Sequence, residues 1–324
     1  MSRPQLVTVF GGSGFLGRYV IRRLLKEGYR VRIAVRRPDL MQHTIPMGNV
    51  GQSQSVQANI RFPESIAAAV NGADHVINLA GILYSSGAQT FKSVVEEGAR
   101  NIAQACKAEG MTRLVHVSAI GADETSDAQY AQAKAQAEYY VKEALPDSII
   151  LRPSIIFGAE DDFFNRFAKL ASMMPAVPLV GADTKFQPVF VDDVAQAIVK
   201  AVTGDLKPGA TYELGGPDVK SFKELLTIML EIIDKKRLIL SIPNRIGDIM
   251  ASFLQFAPGG LKLTPDQVKL LANDNIVSED AKAHDLTLEG MGLSPTAMET
   301  VLPGYLVQYK TSGEFSKLKD SAVD

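Results

Sequence analysis

Cysteine is nearly absent: Cys106 is the only one in 324 residues, which excludes an intrachain disulfide and any cysteine-cluster metal site. The four histidines, His43, His75, His116 and His284, are scattered, with no pair at metal-ligand spacing. An excess of one charge is lacking too, since 34 Lys and Arg stand against 36 Asp and Glu. Nucleic-acid binders carry a strong basic excess, so no such partner is expected. No apolar run reaches the roughly 18 residues of a membrane-spanning helix. Only Met1 to Pro4 precede a strand-like run from Gln5, too little for a signal or transit peptide. The expectation is a chain that stays where it is made, the cytoplasm of a bacterium.

What is present is an ordinary globular balance, 46% hydrophobic and 22% charged residues, with length for about two lobes. Short β-branched runs alternate with amphipathic stretches, the pattern of repeated strand–helix–strand units. Strands are expected at 7–10, 31–35, 56–60, 75–79, 114–117 and 148–151, with helices after Gly14 and over 92–108 and 130–144. Past Pro153 the rhythm breaks at Pro175, Pro178 and Pro188. A strand over 189–191, helices over 193–202 and 222–233, and a short strand at 212–214 follow. From Ile239 onward helical segments are expected without strand alternation. The fold class is α/β, a doubly wound parallel sheet with a smaller, mainly helical C-terminal lobe. Domain boundaries are placed at 1–238 and 239–324, with 155–187 contributing to the second lobe.

Glycines at 11, 14 and 17 lie between the first strand and the first helix. Gly11 permits a sharp turn, and Gly14 lets backbone amides approach a pyrophosphate. Gly17 lets the helix pack close, so that its positive N-terminal end faces the anion. Ser13 adds a hydroxyl. The second strand ends in Arg36 and Arg37, where a site selecting NAD would carry an acidic residue for the ribose 2′-hydroxyl. Two guanidinium groups suit a 2′-phosphate instead, so NADPH is the expected cofactor. Tyr130 and Lys134 stand four residues apart on one helical face, where the ammonium is expected to lower the tyrosine pKa.

These segments, with VINLAG (76–81), LRPSIIFG (151–158) and PVFVDDVAQAI (188–198), resemble the extended short-chain dehydrogenase/reductase superfamily over residues 5–235. The resemblance implies cofactor contacts from Gly11, Ser13, Gly14, Phe15, Leu16, Arg36 and Arg37. It also implies Asn59 and Ile60 beside the adenine and Ala80 and Gly81 along the cofactor. Tyr130, Lys134 and Ser118 would lie at the catalytic end, with Pro153, Ser154 and Ile155 near the nicotinamide. Active members place a hydroxyl cluster after the fifth strand. Here the run is His116-Val117-Ser118-Ala119-Ile120, with Ser118 as its one hydroxyl and Ile120 at the usual catalytic position. A helical Asn found in many members is Val95. Cofactor binding is expected to be intact and catalysis degenerate.

The tail is more specific. LTPDQVKLLANDNIVSEDA (263–281) and GLSPTAMETVLPGYLVQYKTSGEF (292–315) are similar to one branch, the nucleotide-binding accessory subunit of respiratory complex I. The resemblance implies a tightly held NADPH with a structural role. Other complex I subunits near the quinone site would be partners, on the cytoplasmic face of a bacterial inner membrane. Ile246, Ile249, Met250, Phe253, Leu254 and Phe256 could form an apolar surface for lipid, with Lys235, Lys236 and Arg237 meeting anionic headgroups. The alternative is a free NADP-dependent oxidoreductase or nucleotide-sugar epimerase or dehydratase using Tyr130 and Lys134. A third reading is a redox sensor reporting NADP(H) occupancy.

Overall fold

The computed structural model describes residues 4–204, 206–243, 247, 250–252, 254–255 and 263–310, with the backbone alone for 42–46. The chain forms two compact units that interleave along the sequence. The first comprises 1–153, 191–214 and 277–294; the second comprises 154–190, 215–276 and 295–324. The expected boundary at 238/239 falls inside the second unit, and 277–294 returns to the first.

The first unit is built on a parallel sheet. Its strands are β1 (Leu6–Phe10), β2 (Arg30–Val35), β3 (Ser53–Gln57), β4 (His75–Asn78), β5 (Val115–Val117) and β6 (Ile149–Pro153), with a late strand at Thr211–Leu214 beside β6. Their order, from that late strand, is β6-β5-β4-β1-β2-β3, so strand order reverses between β1 and β4. Every pairing in this sheet is parallel, which puts the loops after all six strands at one edge.

The two faces follow the strand alternation. Phe10, Ala34, Val76 and Ile150 join the apolar layer shared with α2 (Pro63–Val70), α3 (Glu97–Ala108) and α4 (Gln129–Ala144). Val9 and Ile33 face the opposite way, toward Ile21 of α1 (Phe15–Lys26). The helix over Val191–Thr203 packs on α1, and Arg23 grips Asp192 through Nε and Nη2.

Several expectations need correction. The third strand is 53–57, because Asn59 turns the chain: its Oδ1 accepts from Arg61 N, and Pro63 then opens α2. The expected helix from 92 starts as a π-helical turn, Phe91–Glu96, capped by reciprocal Thr90–Ser93 bonds. The helix expected from 193 begins at Val191, so the strand before it stops at Phe190.

The second unit holds short paired strands. Ile156–Phe157 (β7) lies parallel to Val189–Phe190, and Ala176–Val180 (β8) parallel to Leu238–Ile242. Lys185–Phe186 (β9) pairs antiparallel with Lys220–Ser221. The strand at 238–242 corrects the expectation of a strand-free tail: LILSI has the β-branched and branched aliphatic character that β8 completes. Phe163, Phe167, Phe186 and Phe222 pack ring against ring around α5 (Phe164–Met173) and the helix at Phe222–Ile232. Asp161 caps α5 by accepting from Phe164 N and Asn165 N, and it also accepts from the Tyr305 hydroxyl.

Of the apolar run in the tail, Met250 packs against Val180, Ala251 and Val268, and Leu254 is half-buried. Ile246, Ile249, Phe253 and Phe256 lie outside the described residues. Lys235 donates to Ser172 and Arg237 to the Ala171 carbonyl. No helix among the described residues is long and apolar enough to cross a membrane.

A buried charge network ties α4 to the sheet edge. Arg152 on β6 donates twice to Glu138, at 2.9 and 2.7 Å, and lies 3.7 Å from Glu213 on the late strand. Glu213 in turn accepts from Ser278 N, anchoring the returning segment 277–294. Arg152→Met leaves two carboxylates facing one another without a counter-charge, and is expected to cost about 3 kcal/mol in urea unfolding. Adding Glu138→Leu should restore most of that loss.

Candidate dinucleotide site

The site begins with backbone that no side chain obstructs. Gly11 has φ +80°, and a Cβ there would fall 2.9 Å from the Leu79 carbonyl carbon and from Ala80 N. Gly17 is equally constrained: its Cβ would stand 2.6 Å from the Gly12 carbonyl oxygen. The β1–α1 turn is thus pressed against the end of β4 on one side and against its own helix on the other. Gly14 starts α1 as an extended cap without a side-chain bond, and no acidic residue occupies the first turn. Ser13 and Gly14 are exposed, so the N–H groups over Phe15 and Leu16 open toward an anion.

Arg36 and Arg37 are both exposed at the end of β2, beside β1. Arg37 donates to both Asp39 oxygens, at 3.1 and 2.8 Å, which raises its own pKa and lowers that of Asp39. The nearest carboxylate after β2 is therefore committed to an arginine. Arg36 has no hydrogen bond or ion pair among the described residues. This charge arrangement fits a phosphate better than a neutral ribose hydroxyl.

The remaining expected residues of the first unit gather at the same sheet edge. Asn59 and Ile60 lie in the turn after β3, where the Ile60 side chain would touch any Cβ at Gly98 and its carbonyl accepts from Asn101. Ala80 and Gly81 follow β4, and a Cβ at Gly81 would lie 3.8 Å from Lys134 Nζ. Ser118 follows β5 and Pro153 ends β6. Ser154 and Ile155 fall in the second unit, where the Ser154 hydroxyl meets the Asn275 carbonyl and Oδ1.

On α4, Lys134 Nζ donates to the Val117 carbonyl at 3.1 Å and sits 5.8 Å from the Tyr130 ring centroid. Burial dominates both groups. It pushes the Lys134 ammonium down to about 8, partly opposed by Glu138, and the Tyr130 phenol up to about 12. The expected lowering of Tyr130 by its lysine neighbour is thus reversed, because loss of hydration outweighs the attraction. Tyr130 meets Phe91 edge to face across the α4–π-turn contact.

Where a catalytic hydroxyl cluster would stand, the packing is apolar. Ile120 is buried with Val277, Ala281 and Leu286, all from the returning segment. Val95 is buried in the main core. Ser118 is 3% exposed and its hydroxyl has no partner among the described residues. Two polar residues that lie inside the quoted segments but were given no role complete the layer: Asn78 on β4 and His116 on β5, 3.0 Å apart. Their signal in the sequence was a polar side chain inside an otherwise apolar strand.

Lys134 carries a stability cost. The unfolded chain holds this proton more tightly than the folded one, so ligand-free protein should gain stability as pH rises from about 8 toward 10.5. Lys134→Met should remove that slope and stabilise the ligand-free protein by about 2–3 kcal/mol at pH 7, read from urea melts.

The NAD(P)H-binding family model matches residues 11–205. The mitochondrial NADH dehydrogenase [ubiquinone] 1 alpha subcomplex subunit 9 of Arabidopsis thaliana is 35% identical over 95% of this chain and 79% of its own. The NADH-ubiquinone oxidoreductase 40 kDa subunit of Neurospora crassa is 30% identical over 95% of this chain and 80% of its own. A nucleoside-diphosphate-sugar epimerase from Staphylococcus aureus shares the fold, with a TM-score of 0.71 at 16% identity over 93% of this chain and 99% of its own. With a dinucleotide cradle at the reversal of strand order and a match that runs through the tail, the chain belongs to the NAD(P)H-binding family and, within it, to the accessory subunits of respiratory complex I.

Proposed function

We propose that this chain is a non-catalytic NADPH-binding subunit of respiratory complex I. The observation that carries this reading is the contrast within one site. The backbone cradle over Gly11–Leu16 is complete, whereas Ile120, at the catalytic hydroxyl position, is packed under 277–294. A bound nicotinamide supplies hydride transfer, and such transfer to a carbonyl needs donors at the developing oxyanion. Here Val95 and Ile120 offer none.

The residues divide the work of binding. The α1 N-terminus, with Ser13, holds the pyrophosphate. Arg36, with Arg37 beside it, would receive the 2′-phosphate. Asn59 and Ile60 border the adenine, with Ala80 and Gly81 along the cofactor. Tyr130 and Lys134 hold the nicotinamide ribose, and Pro153, Ser154 and Ile155 approach the nicotinamide. A ligand held this way stabilises the native state alone, so tight retention makes the dinucleotide part of the fold. The partners are complex I subunits where the peripheral and membrane arms meet near the quinone site. The chain is a peripheral protein on the cytoplasmic face of a bacterial inner membrane, with the tail and Lys235–Lys236–Arg237 toward anionic lipid. The retained Tyr130–Lys134 pair favours a second reading, a free NADP-dependent oxidoreductase or epimerase.

Arg36→Ala should weaken NADPH about tenfold or more and NADH less than threefold, by fluorescence titration. Wild-type protein binding NADH more tightly than NADPH would defeat the cofactor choice. Complex I purified from the native membrane should contain this chain with one retained NADPH by native mass spectrometry. Intact, active complex I lacking the chain would sink the subunit reading, and carbonyl-dependent NADPH turnover abolished by Tyr130→Phe would establish the second.

A further inference from the structure

Beneath α4, β4 and β5 carry two buried polar side chains, Asn78 and His116, and Ser118 just past the end of β5 is a third; none is more than 3% exposed. Asn78 and His116 are register partners, and His116 and Ser118, two residues apart, point to the same side of the sheet. Hydrogen bonding fixes how these groups are protonated. The Ala80 N–H can only donate, and it lies 3.0 Å from Asn78 Oδ1, so that atom is the amide oxygen. Asn78 Nδ2 therefore faces His116 Nδ1, at 3.0 Å, and must donate to it. Nδ1 is then an acceptor, and a neutral imidazole keeps its proton on Nε2. Burial and the nearby Lys134 ammonium both oppose the imidazolium, holding the His116 pKa down to about 3. Glu138 lies one turn beyond Lys134 on α4, and Arg152 is committed to it.

Among the described residues, the resulting Nε2–H is a buried donor with no acceptor, and the Ser118 hydroxyl is a buried group with no partner either. Two such orphans two residues apart are uncommon, because enclosed polar groups are nearly always satisfied by protein or ordered water. The first end of the chain is at Ala80, whose backbone abuts Gly11.

We propose that one buried water accepts from His116 Nε2–H and bonds Ser118 Oγ, completing a line Ala80–Asn78–His116–water–Ser118. His116 is then a positioning residue. Acting through Asn78, it fixes the end of β4 against the Gly11 turn, and it does so without changing charge across the physiological pH range. The positioning role rests on the dinucleotide reading above; the tautomer and the water do not.

The test is nitrogen-15 NMR of the full chain with labelled histidine. The expected result is an Nε2–H tautomer at His116, unchanged from pH 5 to 8, with an exchange-filtered cross-peak from its proton to water. An Nδ1–H tautomer, or a titration midpoint near 6.5, would overturn the assignment, and a missing water cross-peak would overturn the water. Asn78→Asp, whose carboxylate only accepts, should flip His116 to Nδ1–H. His116→Phe should weaken NADPH about tenfold while His116→Gln, which keeps an acceptor for Asn78, stays within twofold of wild type. Equal affinity in His116→Phe would remove the positioning role, and so would an equally weakened His116→Gln that folds. Wild-type protein that binds no NADPH would instead defeat the dinucleotide reading and leave the tautomer result standing.

Discussion

The close approach of the β1–α1 turn to the end of β4 is the constraint on which the site depends. Strand order reverses between these two strands, which opens a crevice at the carboxyl edge of the sheet. The crevice can receive a pyrophosphate only if bare backbone lines it. At Gly11 the sign of φ and the nearness of Leu79 and Ala80 both exclude a side chain, and at Gly17 the turn's own carbonyls do. Asn78, which bonds Ala80 from below, holds the partner side of the same contact.

From that edge, α4 carries the consequences across the unit. Lys134 reaches the Val117 carbonyl, and one turn on Glu138 takes both arms of Arg152. Arg152 also approaches Glu213, which holds Ser278. The segment thus secured covers Ile120 with Val277, Ala281 and Leu286. The helix bearing the tyrosine and lysine is therefore linked, through two ion pairs and a backbone hydrogen bond, to the segment that covers Ile120. Lys134 resists this burial, since its ammonium is held below its ordinary range. Such a cost is typical of groups retained for what they bind rather than for stability.

The departures from an active dehydrogenase make physical sense together. Ile120 and Val95 substitute apolar packing for polar donors, and each is buried among side chains that match it. Both positions therefore carry apolar packing and no hydrogen-bond donor. Family membership and the glycine-lined turn are what the non-catalytic reading rests on.

Much of this was legible in the chain itself. The strand–glycine–helix opening, Arg36 and Arg37, and the Tyr130–Lys134 spacing are local signals, because turn geometry and helical periodicity act over a few residues. The strand at 238–242 was not legible, since its partner β8 lies some sixty residues earlier in the chain. Nor was the return of 277–294 to the first unit, which depends on Glu213 and Ile120 being near in space. The reversal of the Tyr130 pKa shift belongs to the same class: spacing places an ammonium nearby, but only packing sets how much water is lost. Sequence determined which residues meet along one helix or one turn; tertiary structure decided which are buried, and burial set their chemistry.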